Sequence, residues 1–244
     1  MTTKRYDRFC VLRDSFRERV EAWSSALPEL ADAQRELART SGTPAYAVET
    51  PVVYNAALDG VGRDADIAWI VVADNPGKKE QAAGANRYLI GPSGKAAENF
   101  FSRELGVDFR SRTVIVNKTP IHTPKTVQLR ALAAGRPRIT AVLEESQAFM
   151  AALVPELQAA LGAPVWIMGI SELGRRGIFA PWKAALLQAY SRASPGLLDG
   201  VYVFNHFSMG SFATELKRRR LPGETTPRAV LRIGAENRAR SLGE

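Results

Sequence analysis

Three polar clusters stand where apolar runs end. Asp74-Asn75-Pro76-Gly77 follows Ile67–Ala73, Asn117-Lys118-Thr119-Pro120 closes a run that begins at Thr113, and Asn205-His206-Phe207-Ser208-Met209-Gly210 follows Val201–Phe204. Between them they supply a carboxylate, several carboxamides and an imidazole. Such groups can activate water, stabilise a developing charge or donate a proton toward a departing group. Pro76 fixes φ, and Gly77 permits a sharp turn or a close backbone approach. Lys78, Lys79 and Arg87 follow, and Gly91-Pro92-Ser93-Gly94-Lys95 opens an apparent helix. Loops after strands are routinely rich in Gly, Pro, Asn and Asp, so an ordinary connection is the competing reading for each cluster. Two sharper phosphate motifs fail on spacing. G-x-G-x-x-G is absent, and Gly91 to Gly94-Lys95 has two intervening residues where a Walker A loop has four.

The elements that must position these groups can be read from the apolar pattern. Ile67–Ala73 has no polar alternation, as expected of a strand buried on both faces. Thr113–Asn117, Val165–Ile170 and Val201–Phe204 are similar. The segments between them are long enough for helical crossovers. Helices are expected over 93–105, over 138–161 with Val142, Phe149, Leu153 and Leu157 among its apolar positions, and around Phe179, Trp182, Leu186 and Ala189. Ser171 is placed to cap the last of these. Another is expected at Phe212 and Leu216. Upstream, Phe9, Leu12, Phe16, Val20 and Trp23 make one helical stripe, and Pro28 opens a second helix. The expected fold is α/β, a three-layer α/β/α sandwich with a four-stranded parallel sheet. Carboxyl ends of parallel strands share one edge, so Asp74, Asn75, Asn117 and His206 can meet there.

The chain has 244 residues and a formal charge of +8, which suits a polyanionic partner. From Lys217 to Arg240 there are eight basic residues and two acidic ones, so this stretch carries most of the excess. One cysteine, Cys10, excludes an internal disulfide and any all-cysteine metal or iron–sulfur site; two histidines cannot make a histidine cage. Cys10 reads as packing in the first helix. No apolar run approaches the roughly 20 residues of a membrane helix. The first residues carry no signal-peptide core, so an intracellular, cytoplasmic protein is expected. The organisation expected is a helical segment over 1–50, an α/β/α domain over 51–220 and a basic arm over 221–244.

Ala-Asp-Asn-Pro-Gly after a central strand, then Arg-Tyr-Leu-Ile-Gly-Pro-Ser-Gly, then a late strand ending in Asn-His-Phe-Ser, resembles the uracil-DNA glycosylase superfamily over roughly residues 52 to 220. The resemblance implies the four-stranded α/β/α sandwich. Asn75 falls where the Asn-Pro-Gly branches keep a water-positioning asparagine, and Asp74 where the iron–sulfur branch keeps a glutamate. Leu89, with Tyr88 before it, falls where that branch stacks a phenylalanine on the base. Asn117 matches the asparagine offered to the uracil edge, and His206 the histidine that contacts uracil O2. The sequence departs at Ala73 and Phe207, which replace a glycine and a proline, and it lacks the cluster cysteines.

What the resemblance implies is a monofunctional, metal- and cofactor-independent DNA glycosylase of base-excision repair, a monomer acting on uracil or a related deaminated base in DNA. Breaking an N-glycosidic bond puts positive charge on the sugar and negative charge on the base. Asp74 suits the first, assisted by Asn75, and His206 suits the second. The base must leave the stack, so Tyr88, Leu89, Asn117 and Ser208 are expected at its pocket and Met209 as a wedge. Lys78, Ser93 and Lys95 are expected to hold phosphates near a helix N-terminus. His122 is expected to be structural or a minor phosphate contact. The competing class is a non-catalytic nucleic-acid-binding protein on the same scaffold, which needs the basic surface but not that set. A small-nucleoside hydrolase is a third reading, one that does not need the basic stretch.

Overall fold

The computed structural model describes residues 1–243. In chain order the elements are α1 (Thr3–Ala26), α2 (Leu30–Thr40), β1 (Trp69–Ala73), α3 (Pro92–Phe100), α4 (Phe109–Arg112), β2 (Thr113–Asn117), α5 (Gln128–Ala133), α6 (Pro137–Leu161), β3 (Val165–Met168), α7 (Ala180–Ser191), β4 (Val201–Phe204), α8 (Ser211–Arg219) and α9 (Thr226–Arg238). The four strands form one all-parallel sheet in the order β2-β1-β3-β4. Every strand residue except Trp69 and Tyr202 is buried. The apolar runs thus lack alternation because both faces are covered.

One face packs aromatic rings. Trp69, Trp166 and Phe204 meet Phe101 and Phe212. On the other face lie α6 and α7, with α1 laid across α6 through Phe16, Trp23 and Phe149. This is the three-layer α/β/α sandwich.

Differences from the sequence reading have local causes. β3 stops at Met168 because Gly169 turns to φ 84°. The helix expected over 93–105 is α-helical to Phe100, then widens to a π turn over Phe101–Leu105 ended by Gly106 at φ 68°. Ser171 lies inside a 3-10 turn, and α7 starts only at Ala180 with no side-chain cap. Residues 226–238 of the expected basic arm are instead helix α9, which lies on β4. Ala229, Val230, Ile233 and Gly234 are buried there. Gly234 is required by the contact: a Cβ at that position would stand 2.5 Å from Phe204 Cζ and 2.7 Å from Tyr202 Cβ.

Candidate functional site

β1 turns toward β2 on one side, while β3 and β4 lie on the other, so the chain changes direction between β1 and β3. A crevice forms outside the carboxyl ends of such a sheet at that point. Asp74 leaves β1 there and Gly169 leaves β3, and the two touch. A Cβ on Gly169 would lie 2.5 Å from Asp74 Oδ1 and 3.0 Å from Oδ2. Asp74 is buried, and its Oδ1 accepts a hydrogen bond from Lys118 Nζ at 2.5 Å. Lys118, the residue after β2, is wholly buried. Its ammonium also donates to the Met168 carbonyl at 2.5 Å and faces the rings of Phe179 and Trp182 at 4.9 and 5.7 Å. Burial pushes the Lys118 pKa down, and Asp74 opposes that shift.

His206 follows β4 and is half-buried. Its Nδ1 accepts the Ser208 N–H at 3.2 Å and lies 2.9 Å from Ser208 Oγ. That fixes the proton of the neutral ring on Nε2. Burial lowers the pKa of His206, Asp74 raises it and Lys118 lowers it, so the three groups share one electrostatic neighbourhood. Asn117 ends β2 opposite Ala73. Its side chain is buried, and Nδ2 has no hydrogen-bond partner. A buried polar group of this kind normally finds one.

Asn75 points away from Asp74 into the β2 exit loop. Its Nδ2 donates to Thr123 Oγ1 at 2.9 Å and to the Ile121 carbonyl at 3.3 Å. The next peptide is held at both polar atoms. The Pro76 carbonyl accepts from His122 Nδ1 at 2.8 Å and from the Thr123 N–H at 3.2 Å, while the Gly77 N–H donates to Glu80 Oε2 at 3.1 Å. Because Nδ1 donates, His122 Nε2 accepts from the Tyr46 hydroxyl at 2.8 Å. Burial pushes His122 down to about 4 and Glu80 up to about 7, the latter opposed by the N–H groups of Gly77, Leu89 and Ile90.

Residues 44–53 form a strap across these loops. Tyr46 holds His122, the Gln81 amide joins Ala47 and Glu49, Val53 N–H meets the Pro120 carbonyl, and Gln34 of α2 bonds both Pro51 and His122 carbonyls. His122 is therefore structural. On the β4 side, Asn205 Nδ2 donates to Glu215 Oε2 at 2.8 Å, and Glu215 Oε1 accepts from Arg219 and from Asn237 of α9. α9 thereby reaches the residue beside His206.

Asp74, Asn117 and His206 thus stand at the shared strand edge, with Asn75 and Ser208 as their supports. Met209 is fully exposed at the tip of the His206 loop, with φ 54°. Tyr88 does not belong to this edge. It is buried, with its hydroxyl donating to the Val53 carbonyl at 2.5 Å and its N–H to Asn55 Oδ1, so no face is left for a base. Leu89 is also buried, at φ 54°, and its carbonyl is held by Arg110. Gly94 fits closely against that carbonyl, where a Cβ would lie 1.4 Å from the oxygen. Ser93 and exposed Lys95 stand in the first turn of α3. Lys78 is committed to the Pro44 carbonyl at 3.1 Å and lies over the Tyr46 ring, which ties it to the strap.

Sequence reasoning missed Lys118, Gly169, Glu80 and Glu215. Lys118 had a signal: in parallel register with Ala73 opposite Asn117, the next residues Asp74 and Lys118 share a face. The others had none, because their roles depend on contacts between distant loops.

A cavity of about 580 Å³ opens beside the outer edge of β2, lined by Asn55, Leu58, Val61, Arg110 and Ile115 among others, away from Asp74. A second, of about 350 Å³, lies beside the β3 exit between Arg130, Ser171, Glu172 and Arg176. Among the described residues no group of three or more His, Cys, Asp or Glu could hold a metal ion, and no helix is long and apolar enough to cross a membrane. No protein-family model matches the chain, and no curated protein matches it.

Proposed function

We propose that this chain is a monofunctional DNA glycosylase that hydrolyses the N-glycosidic bond of uracil, or of a related deaminated base, as a base-excision step. The observation that carries the reading is the pair at the carboxyl edge of the sheet: a carboxylate with one oxygen still free and open to the edge, and a neutral imidazole with Nε2–H free. Asp74 Oδ2 would take a proton from the attacking water and face the sugar cation. The water oxygen bonds to C1′ as the carbon–nitrogen bond breaks, and the bonding pair leaves with the base. His206 Nε2–H would donate to the base oxygen that gains this charge. Asn117 Nδ2 is enclosed beneath this edge, so it would donate to a carbonyl of the base only once the β2 exit opens, and a site built around such a bond rejects a base offering a donor there. Asn75 would hold the loop, and exposed Met209 is the candidate wedge.

Unpaired cations on the strand-exit loops support a nucleic-acid partner. Lys79, Lys125, Arg175 and Arg176 are exposed on the exits of β1, β2 and β3, and none has an ion-pair partner among the described residues. The non-catalytic binding reading keeps one specific support: Lys118 already balances the Asp74 charge. The deciding experiment is release of free base from single- and double-stranded oligonucleotides carrying uracil, hypoxanthine or xanthine, with EDTA present. The glycosylase reading expects release by the wild type and its loss in Asp74→Asn. DNA binding with no release from any substrate would replace it with the binding reading.

A further inference from the structure

Lys118 has no free valence. Two of its donors go to Asp74 Oδ1 and the Met168 carbonyl, and the remaining side of the ammonium faces Phe179 and Trp182. The side chain has 0% exposure, so it cannot itself reach a ligand. Asp74 differs, because its side chain keeps 11% exposure. Oδ1 is taken by Lys118. Oδ2 has no hydrogen bond among the described residues, yet it is not among the enclosed unpartnered atoms, so it reaches the open edge. Gly169 closes the remaining side, since even a methyl group there would collide with both carboxylate oxygens.

We propose that Lys118 is a positioning residue: together with Gly169 it locks Asp74 in one orientation, with Oδ1 bound from below and Oδ2 presented to the crevice as the one oxygen that can act. Removing a donor from one carboxylate oxygen frees the group to rotate, and a small misplacement of a reacting atom costs roughly 10- to 100-fold in rate. A neutral replacement of both partners removes the pair without leaving a buried charge alone. The proposal rests on the glycosylase reading only for the reaction that Oδ2 serves; the lock does not depend on it.

The test is a double-mutant cycle with Lys118→Met, Asp74→Asn and the double variant, beside Gly169→Ala. Each is measured by urea unfolding, DNA affinity and single-turnover release of uracil. The lock expects the double variant to be more stable than the two single losses add up to. In cleavage, Lys118→Met should fall at least 10-fold with unchanged DNA affinity in the Asp74 background, and no further in the Asp74→Asn background. Gly169→Ala should lose rate in the same way. Where Lys118→Met does not fold, the wild-type 15Nζ resonance decides: a slowly exchanging ammonium signal that Asp74→Asn shifts is expected. Additive stabilities, a rapidly exchanging Nζ, or wild-type cleavage by a folded Lys118→Met would overturn the proposal. A wild-type protein that releases no base sinks the glycosylase reading alone, and the stability cycle and the Nζ signal then decide the lock.

Discussion

A carboxylate and an amide stand side by side at the end of β1, and the backbone turns them to different partners. Asp74 meets Lys118 and Gly169 over the crevice, whereas Asn75 bonds Thr123 and Ile121 in the neighbouring loop. On the proposed glycosylase reading, Asp74→Asn should lower single-turnover cleavage by at least ~100-fold, and His206→Ala by about as much, since each would remove a charge or donor from the reacting atoms. Asn75→Ala should cost less in rate and show mainly as lost stability, on the order of 1–3 kcal/mol for orphaned buried partners. A dead Asn75→Ala beside a normal Asp74→Asn would reverse the assignment.

Two titrating groups hold the Pro76–Gly77 peptide, and they oppose each other. His122 falls from 6.5 in the free state to about 4 when folded, so its contribution is present above 6.5 and is lost as the pH drops toward 4. Glu80 rises from 4.5 to about 7, so its contribution is present below 4.5 and is lost as the pH climbs toward 7. Each is worth roughly 3 kcal/mol at the limit, and between them the two nearly cancel. Glu80→Gln should then lose more stability than the wild type on acidification from pH 6.5 to 4.5, and His122→Gln should lose less or gain. Urea midpoints across that range check both signs; identical slopes in the two variants would contradict them.

At the scale of elements, α9 gives the sharpest expectation. Gly234 sits against Phe204 and Tyr202, so Gly234→Val forces the helix off β4. Overpacking of this kind costs about 1–3 kcal/mol, measured as a lower urea midpoint. Strands were the legible part of the sequence. Thr113–Asn117 and Val201–Phe204 are strands as their apolar runs indicate, because a strand covered on both faces reads as a near-continuous apolar run rather than an alternating one. α9 was misread because its arginines stand out more than the Ala229, Val230 and Ile233 stripe beneath them. Two are bound within the fold: Arg232 reaches Glu224 and Glu236, and Arg238 reaches Asp199, while Arg219 at the end of α8 also reaches Glu236. The strand-exit residues were visible by type. Their partners were not, since the period of a strand gives a face and not the neighbour across it. Tyr88 was misplaced for a related reason: Leu89 takes a left-handed turn that no residue type there announces.

For the whole molecule, the ion pairs of Arg219, Arg232 and Arg238 leave Lys217, Arg218 and Arg228 exposed in the C-terminal stretch with no ion pair among the described residues, and the expected phosphate contacts are shared between these and the strand-exit edge. Lys79→Gln, Lys125→Gln, Arg175→Gln and Arg176→Gln should each reduce the slope of log affinity against log salt, by ~0.9 per lost contact on duplex DNA and ~0.7 on a single strand. Arg232→Gln should leave the slope unchanged, because that guanidinium is held by Glu224 and Glu236. The opposite pattern would return the contacts to α9.

The strap over residues 44–53 has a consequence for how the molecule comes apart. It joins α2, the Asp74 loop and the β2 exit through Gln34, Tyr46, Gln81 and Val53, so no seam separates residues 1–50 from the sheet. Heat should then meet one cooperative unit. A scanning calorimeter should record a single endotherm whose van't Hoff and calorimetric enthalpies agree. Limited digestion should yield intact chain and small peptides, with no lasting fragment beginning near residue 51.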